Sequence, residues 1–156
     1  IKQYSSLEGC FCDCVSSSKN NIEHALDEFS LKLMGRGTER HLEFLIPRAS
    51  KGSACKRLNL FLRWMLRKDD VDPGGWKCLT PDILLIPLDT HMYSLCRDMG
   101  FTSRKSADFK TVIEITSEFR KICPEDPVRY DFALTRFGIR DDMDKSDVLR
   151  SFPGRK

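Results

Sequence analysis

At 156 residues, with 40% hydrophobic and 31% charged residues, the chain is long enough for one domain with its own core. No apolar run approaches the roughly 20 residues of a membrane-spanning helix, and no secretory signal is read in it. The net charge is only +3, but between Met34 and Lys68 nine basic residues face two acidic ones, whereas 124–147 leans acidic. That asymmetry points to an anionic partner, nucleic acid first, or to a solvated basic surface. Opening on Ile1 rather than methionine is expected of a fragment or a processed chain.

Three parts are expected: an N-terminal segment, 1–20; a helical domain, 21–139; and a polar tail, 140–156. The first contains "CFCDC", whose C-x-C-x-C spacing is not the C-x-x-C of zinc knuckles. No second Cys/His pair completes it, so no metal site is expected. Of the seven cysteines, Cys55, Cys96 and Cys123 sit among apolar residues, as reduced cytosolic thiols do. His24, His41 and His91 are scattered.

Ile22, Ala25, Leu26 and Phe29 mark an amphipathic helix running to Leu33 and stopped by Gly35 and Gly37. A short helix over 39–45 should follow, halted near Pro47. In "KGSACKRLNLFLRWMLRK", Leu58, Phe61, Leu62 and Met65 share one face of a long helix, and Lys56, Asn59, Arg63 and Arg67 line another. Trp64 and Phe61 are expected in the core. "DDVDPGGWKCLTP" reads as a loop, and residues 83–86 as a strand-like run or a helical turn. After Asp89, the residues Met92, Leu95, Cys96 and Met99 form a helical stripe closed by Gly100. Phe109, Val112, Ile113 and Thr116 mark a helix ended by Pro124. Asp126 and Pro127 look like the cap and first turn of a last helix, with Tyr130, Ala133, Leu134 and Phe137 inward and Gly138 at its end. With no sustained alternation, the class is all-α. No G-x-G-x-x-G, Walker loop, H-E-x-x-H or G-x-S-x-G is present.

Asp89, directly before a helix, can act as its cap. Its surroundings suggest more. "PLDTHMYSLCRDMGF" resembles the "VDTH…R-L-G" segment of helix-hairpin-helix DNA glycosylases, the superfamily of endonuclease III and the 8-oxoguanine glycosylases. "KGSACKRLNLFLRWMLRKDDVDPGGW", "LLIPLDTH" and "CPEDPVRYDFALTRFGI" together resemble a bacterial and archaeal family of unknown function related to that superfamily. Its layout is nearest to the archaeal 8-oxoguanine glycosylases. Proteins of that family look longer at the N-terminus, so part of the usual helical body is expected to be missing.

The resemblance implies a base-excision glycosylase, with or without strand-cleaving lyase activity, acting on double-stranded DNA that carries a damaged base, 8-oxoguanine first. It places Asp89 on the catalytic aspartate. The nucleophilic lysine falls on Lys56 by preference, or on Lys51 in the preceding turn. The amine attacks C1′ of the sugar and must be neutral to do so. Lys51, Gly52, Ser53, Arg57, Arg63, His91 and Arg97 would touch DNA, and Trp76 and Tyr93 would stack on the extruded base. No cofactor is expected: endonuclease III holds an iron–sulfur cluster on four C-terminal cysteines, and only Cys123 lies there. The implied setting is cytoplasmic and nucleoid-associated. Two departures stand out. The superfamily's "L-P-G-V-G-x-K" hairpin is here "IPRASKGSACK", and Ser94 replaces the usual arginine of the following helix. They favour the alternative of a non-catalytic DNA-binding module; a third reading is a helical domain whose basic surface docks an acidic protein.

Overall fold

The computed structural model describes residues 4–19, 21–35 and 44–139. Among them are six helices and two short 3-10 turns, with isolated bridges but no strand. The fold is all-α. Helix α1, Leu7–Ser17, begins on Ser6, whose Oγ accepts the Gly9 N–H. Helix α2, Ile22–Met34, begins on Asn21 and ends at Gly35, at φ 72°, a left-handed position that glycine takes without strain. The two pack on each other, with Phe11 edge-on to Phe29 at 5.0 Å between centroids. Ala25, Leu26 and Phe29 are buried as their spacing requires. Helix α1 thus supplies a wall of the core.

"CFCDC" lies on α1. Cys10 and Cys14, four residues apart, share a buried side. Cys12 points elsewhere, as a 200° rotation demands, and is joined by a disulfide to Cys78. The three thiols therefore do not converge. Cys55, Cys96 and Cys123 are free and buried.

The short helix expected over 39–45 falls largely outside the described residues; Phe44 and Leu45 form a turn. Helix α3, Lys56–Leu66, departs from its expected polarity. Its buried residues are Leu58, Asn59, Leu62, Arg63 and Leu66, with Arg67 buried just beyond. The supposed polar face is thus largely internal, because aspartates from three other segments meet it there. Trp64, expected in the core, is 43% exposed.

Residues 84–88 follow the 3-10 turn Pro81–Ile83 as an extended, wholly buried run without a strand partner. A buried N–H needs an acceptor, and that of Ile86 donates to Thr116 Oγ1 at 3.1 Å. Helix α4, Thr90–Asp98, buries Met92, Leu95 and Cys96. It closes where Gly100, at φ 75°, lets the Phe101 N–H reach the Cys96 carbonyl at 2.8 Å. Helix α5, Phe109–Ile122, is capped by Asp108. Helix α6, Asp131–Ile139, packs on α4.

Helix α6 starts later than Asp126-Pro127 suggested, since 127–130 form a turn. The Asp126 carboxylate accepts from Arg67 Nε at 2.8 Å instead of capping a helix. The inward residues are Val128, Asp131 and Leu134; Tyr130 and Ala133 are exposed. The side chain of Phe137 and the tail 140–156 lie outside what is described, and α6 runs one residue past Gly138.

Candidate functional site

Asp89 Oδ1 accepts the Met92 N–H at 2.8 Å, satisfying a free donor of the first turn of α4. Its other oxygen, Oδ2, lies 3.1 Å from Lys56 Nζ. Capping and ion pairing therefore use different oxygens of one carboxylate. Burial works against ionisation of Asp89, but the Met92 N–H and Lys56 outweigh it, and the carboxyl is held below its ordinary 3.8. The Asp89 side chain is 20% exposed and that of Lys56 48%. A pair with one partner half in water adds little stability.

Both residues are held from behind. Lys56 opens α3, and Cys55 before it stands in the left-handed region at φ 49°. That conformation costs roughly 1–3 kcal/mol away from glycine and persists only where neighbours enforce it. Here the Cys55 N–H donates to Ser53 Oγ, its thiol to the Pro47 carbonyl, and Asn59 Nδ2 to the Ala54 carbonyl. Asp89 is delivered by the buried run 84–88, itself tied to Thr116.

Arg63 corrects the sequence reading. It was expected on DNA, yet its side chain is only 4% exposed. Nε donates to Asp72 at 3.1 Å and Nη1 to Asp131. Arg67 extends the cluster through Nη1 to Asp72, Nε to Asp126 and Nη2 to Asp69. A guanidinium closed in by buried carboxylates cannot reach a phosphate. This network is the part of the site region that sequence reasoning missed. Its signal was present: Arg63 and Arg67, one turn apart, precede "DDVD" and "PEDPVRYD", two acid-rich stretches that have to pack somewhere.

Asp131 is nearly fully buried within the network. Burial raises its carboxyl most; Arg63 opposes this, and the charges of Asp89 and Asp72 push further upward, to about 6. Asp89 and Asp131 therefore lie within electrostatic reach of each other.

The other expected contacts divide. Lys51, Arg57, His91 and Arg97 are exposed. Arg57 lies over the Phe44 ring at 5.5 Å and donates to the Phe44 carbonyl. Gly52 adopts φ 82°, but the N–H groups of Ser50, Lys51 and Gly52 are bound to Asp27, Arg48 and Ala49 respectively. The Ser53 hydroxyl serves Cys55. This turn therefore keeps those backbone donors internal, unlike a hairpin that offers them to phosphate.

Tyr93 lies under Arg97 at 5.7 Å and donates its hydroxyl to the Arg104 carbonyl at 2.8 Å. A cleft of about 720 Å³ starts at Thr90, next to Asp89, and runs past Tyr93, Ser94, Arg97, Thr102 and Ser103. Trp76 was expected to be free in its loop. It instead packs on the core between Phe11 and Phe61, with centroids 6.0 and 5.6 Å away. The ring is partly buried and engaged on the core rather than free in the loop. Among the described residues no group of His, Cys, Asp or Glu is arranged to hold a metal ion, and no helix is long and apolar enough to cross a membrane.

Fold and site define an all-α domain in which a lysine opening one helix is paired with the aspartate capping another. The chain belongs to the family described as protein of unknown function DUF2400, whose model matches residues 1–140. No curated protein and no solved structure matches it.

Proposed function

We propose that this chain is a DNA base-excision glycosylase of the helix-hairpin-helix type, with Lys56 as nucleophile and Asp89 as its carboxylate partner. The observation that carries the reading is the 3.1 Å approach of Lys56 Nζ to Asp89 Oδ2, between residues that the motif resemblance picked out independently. Double-stranded DNA holding a damaged base, 8-oxoguanine first, is the substrate. Lys51, Arg57, His91 and Arg97 are exposed and suited to phosphate contacts.

The chemistry follows from the pair. In water the ion pair is favoured, and an ammonium cannot attack. DNA laid over the half-exposed lysine strips water from both charges, which moves the pair toward neutral amine and neutral acid. Asp89 Oδ2 takes the proton, the free amine attacks C1′ as the glycosidic bond breaks, and the base leaves with the bonding electron pair and takes up the proton that Asp89 holds. The C1′ adduct opens to an imine, from which a lyase step can cleave the strand.

Borohydride trapping on a panel of lesion-bearing duplexes tests this, 8-oxoguanine and uracil first. The parent protein should give a covalent adduct, Lys56→Ala none, and Asp89→Asn far less. Base release at the parent rate by both variants sinks the assignment.

One observation favours a second reading, a non-catalytic DNA-binding module. Both Asp89 oxygens already have structural partners, so the pair can be accounted for without a reaction. That reading expects salt-dependent DNA binding, no base release from any duplex, and unchanged binding in Asp89→Asn.

A further inference from the structure

The "CFCDC" stretch has no part in the reaction proposed above. Its middle residue, Cys12 on α1, is bonded to Cys78, 66 residues later, with the two Cα atoms 6.5 Å apart. The other five of the seven cysteines are free and buried, whereas Cys12 is half-buried and Cys78 exposed. One pair therefore lies where a dissolved thiol can reach it.

Non-covalent contacts hold the same two segments together. The Glu8 carboxylate, one turn before Cys12 on α1, accepts the backbone N–H groups of Lys77 and Cys78. Trp76, two residues before Cys78, packs between Phe11 of α1 and Phe61 of α3. The Gly74 and Trp76 N–H groups donate to the Trp64 and Met65 carbonyls of α3, each at 3.0 Å. With the S–S bond broken, these contacts still keep Cys78 beside Cys12, so reoxidation finds the same pair. Cys14, two residues from Cys12, does not compete: it faces the core, and burial pushes its thiol up to about 11, which leaves little thiolate to attack.

We propose that Cys12–Cys78 is a reversible redox clamp, opened by a dithiol reductant and closed by a disulfide oxidant, that sets how firmly α1 and the loop 67–80 are held together. In reduction, a thiolate of the reductant bonds to Cys78 Sγ, the exposed sulfur. Cys12 leaves as thiolate with the S–S electron pair and takes up a proton. The reductant's second thiolate then attacks its own sulfur in the mixed disulfide, and Cys78 is released as thiolate and protonated in turn. Two electrons pass to the protein, and the reductant ends as a disulfide. Oxidation by a disulfide such as oxidised glutathione runs the same steps backward. A bond across 66 residues restricts the open forms of the chain, so α1 should open less often in the oxidised protein than in the reduced one.

Differential alkylation of the folded full chain, read by mass spectrometry, tests this. After treatment with oxidised glutathione, Cys12 and Cys78 should resist alkylation and give one cross-linked peptide. A dithiol reductant without denaturant should then expose those two while the five buried thiols stay protected. Its removal, followed by fresh oxidised glutathione, should restore the cross-link. On reduction the Tm of the parent should fall by roughly 4–16 °C, and amide exchange should quicken at Lys77, Cys78 and along α1. The double variant Cys12→Ser, Cys78→Ser should melt like the reduced parent with or without reductant. A parent that forms no cross-link on oxidation, or whose Tm ignores the reductant, overturns the inference. So does a cross-link that yields only when all seven cysteines become reactive together, the result expected of a purely structural staple. These readouts use no DNA, so failure of the clamp and failure of the glycosylase reading are separate outcomes.

Discussion

Replacing Arg63 with alanine separates a structural guanidinium from a DNA-contacting one. The substitution takes a cation from between Asp72 and Asp131, whose side chains are 0% and 5% exposed. Removing one partner of a buried pair costs about 3–5 kcal/mol, because the charge left behind has lost its water as well as its mate. For a domain of this size that is a fall in Tm of roughly 6–20 °C, at 2–4 °C per kcal/mol.

The loss should depend on pH. Asp131 titrates at about 6 when folded against an ordinary 3.8, so folding takes up a proton. Stability linked to Asp131 is then greatest at low pH and declines as pH rises through 6. Without Arg63 the carboxyl is pushed higher still, so the deficit of Arg63→Ala should be smaller at pH 5, where Asp131 is neutral, than at pH 8. Urea denaturation at both pH values, followed by circular dichroism, measures it. A variant as stable as the parent at pH 8 but with weakened DNA binding would refute the buried network and restore Arg63 to the surface.

Asp89→Ala should cost about 1 kcal/mol through the lost cap, whereas Asp89→Asn, which can still accept the Met92 N–H, should melt within a degree or two of the parent. Because the Asp89 carboxyl is held below 3.8, its contribution is present above that pH and lost on further acidification; Asp89→Asn should lack this acid limb in thermal melts. Thr116→Val leaves the buried Ile86 N–H without an acceptor and should destabilise by about 1–3 kcal/mol; urea titration reads the total, and faster amide exchange at Ile86 places it. Gly74→Ala puts a Cβ at 2.8 Å from Lys68 Cβ and 3.0 Å from the Arg67 carbonyl, at φ 66°. It should lower stability by more than about 1 kcal/mol, and an unchanged Tm would show that this loop is not held as described.

The helices were largely legible from the chain itself. The 3.6-residue spacing of Ile22, Ala25, Leu26 and Phe29, the cap at Asp89, and the glycines at 35 and 100 all act within a few residues. Local hydrogen bonding and periodicity suffice to specify such features. The Asp89 motif was legible for the same reason, since a cap is defined by the turn that follows it.

What only tertiary packing decided is which polar residues go inside. Arg63 looks like a surface group by residue type, and Trp76 by its place in a Pro- and Gly-rich loop. One is internal because aspartates more than sixty residues away in one case and nine in the other close around it; the other is covered because α1, over sixty residues earlier, brings Phe11 to its ring. Trp64 is the converse, an aromatic left 43% exposed because none of the described segments covers it. A chain announces its charges and rings locally, but burial depends on partners distant in sequence, and these exist as partners only once the helices have packed.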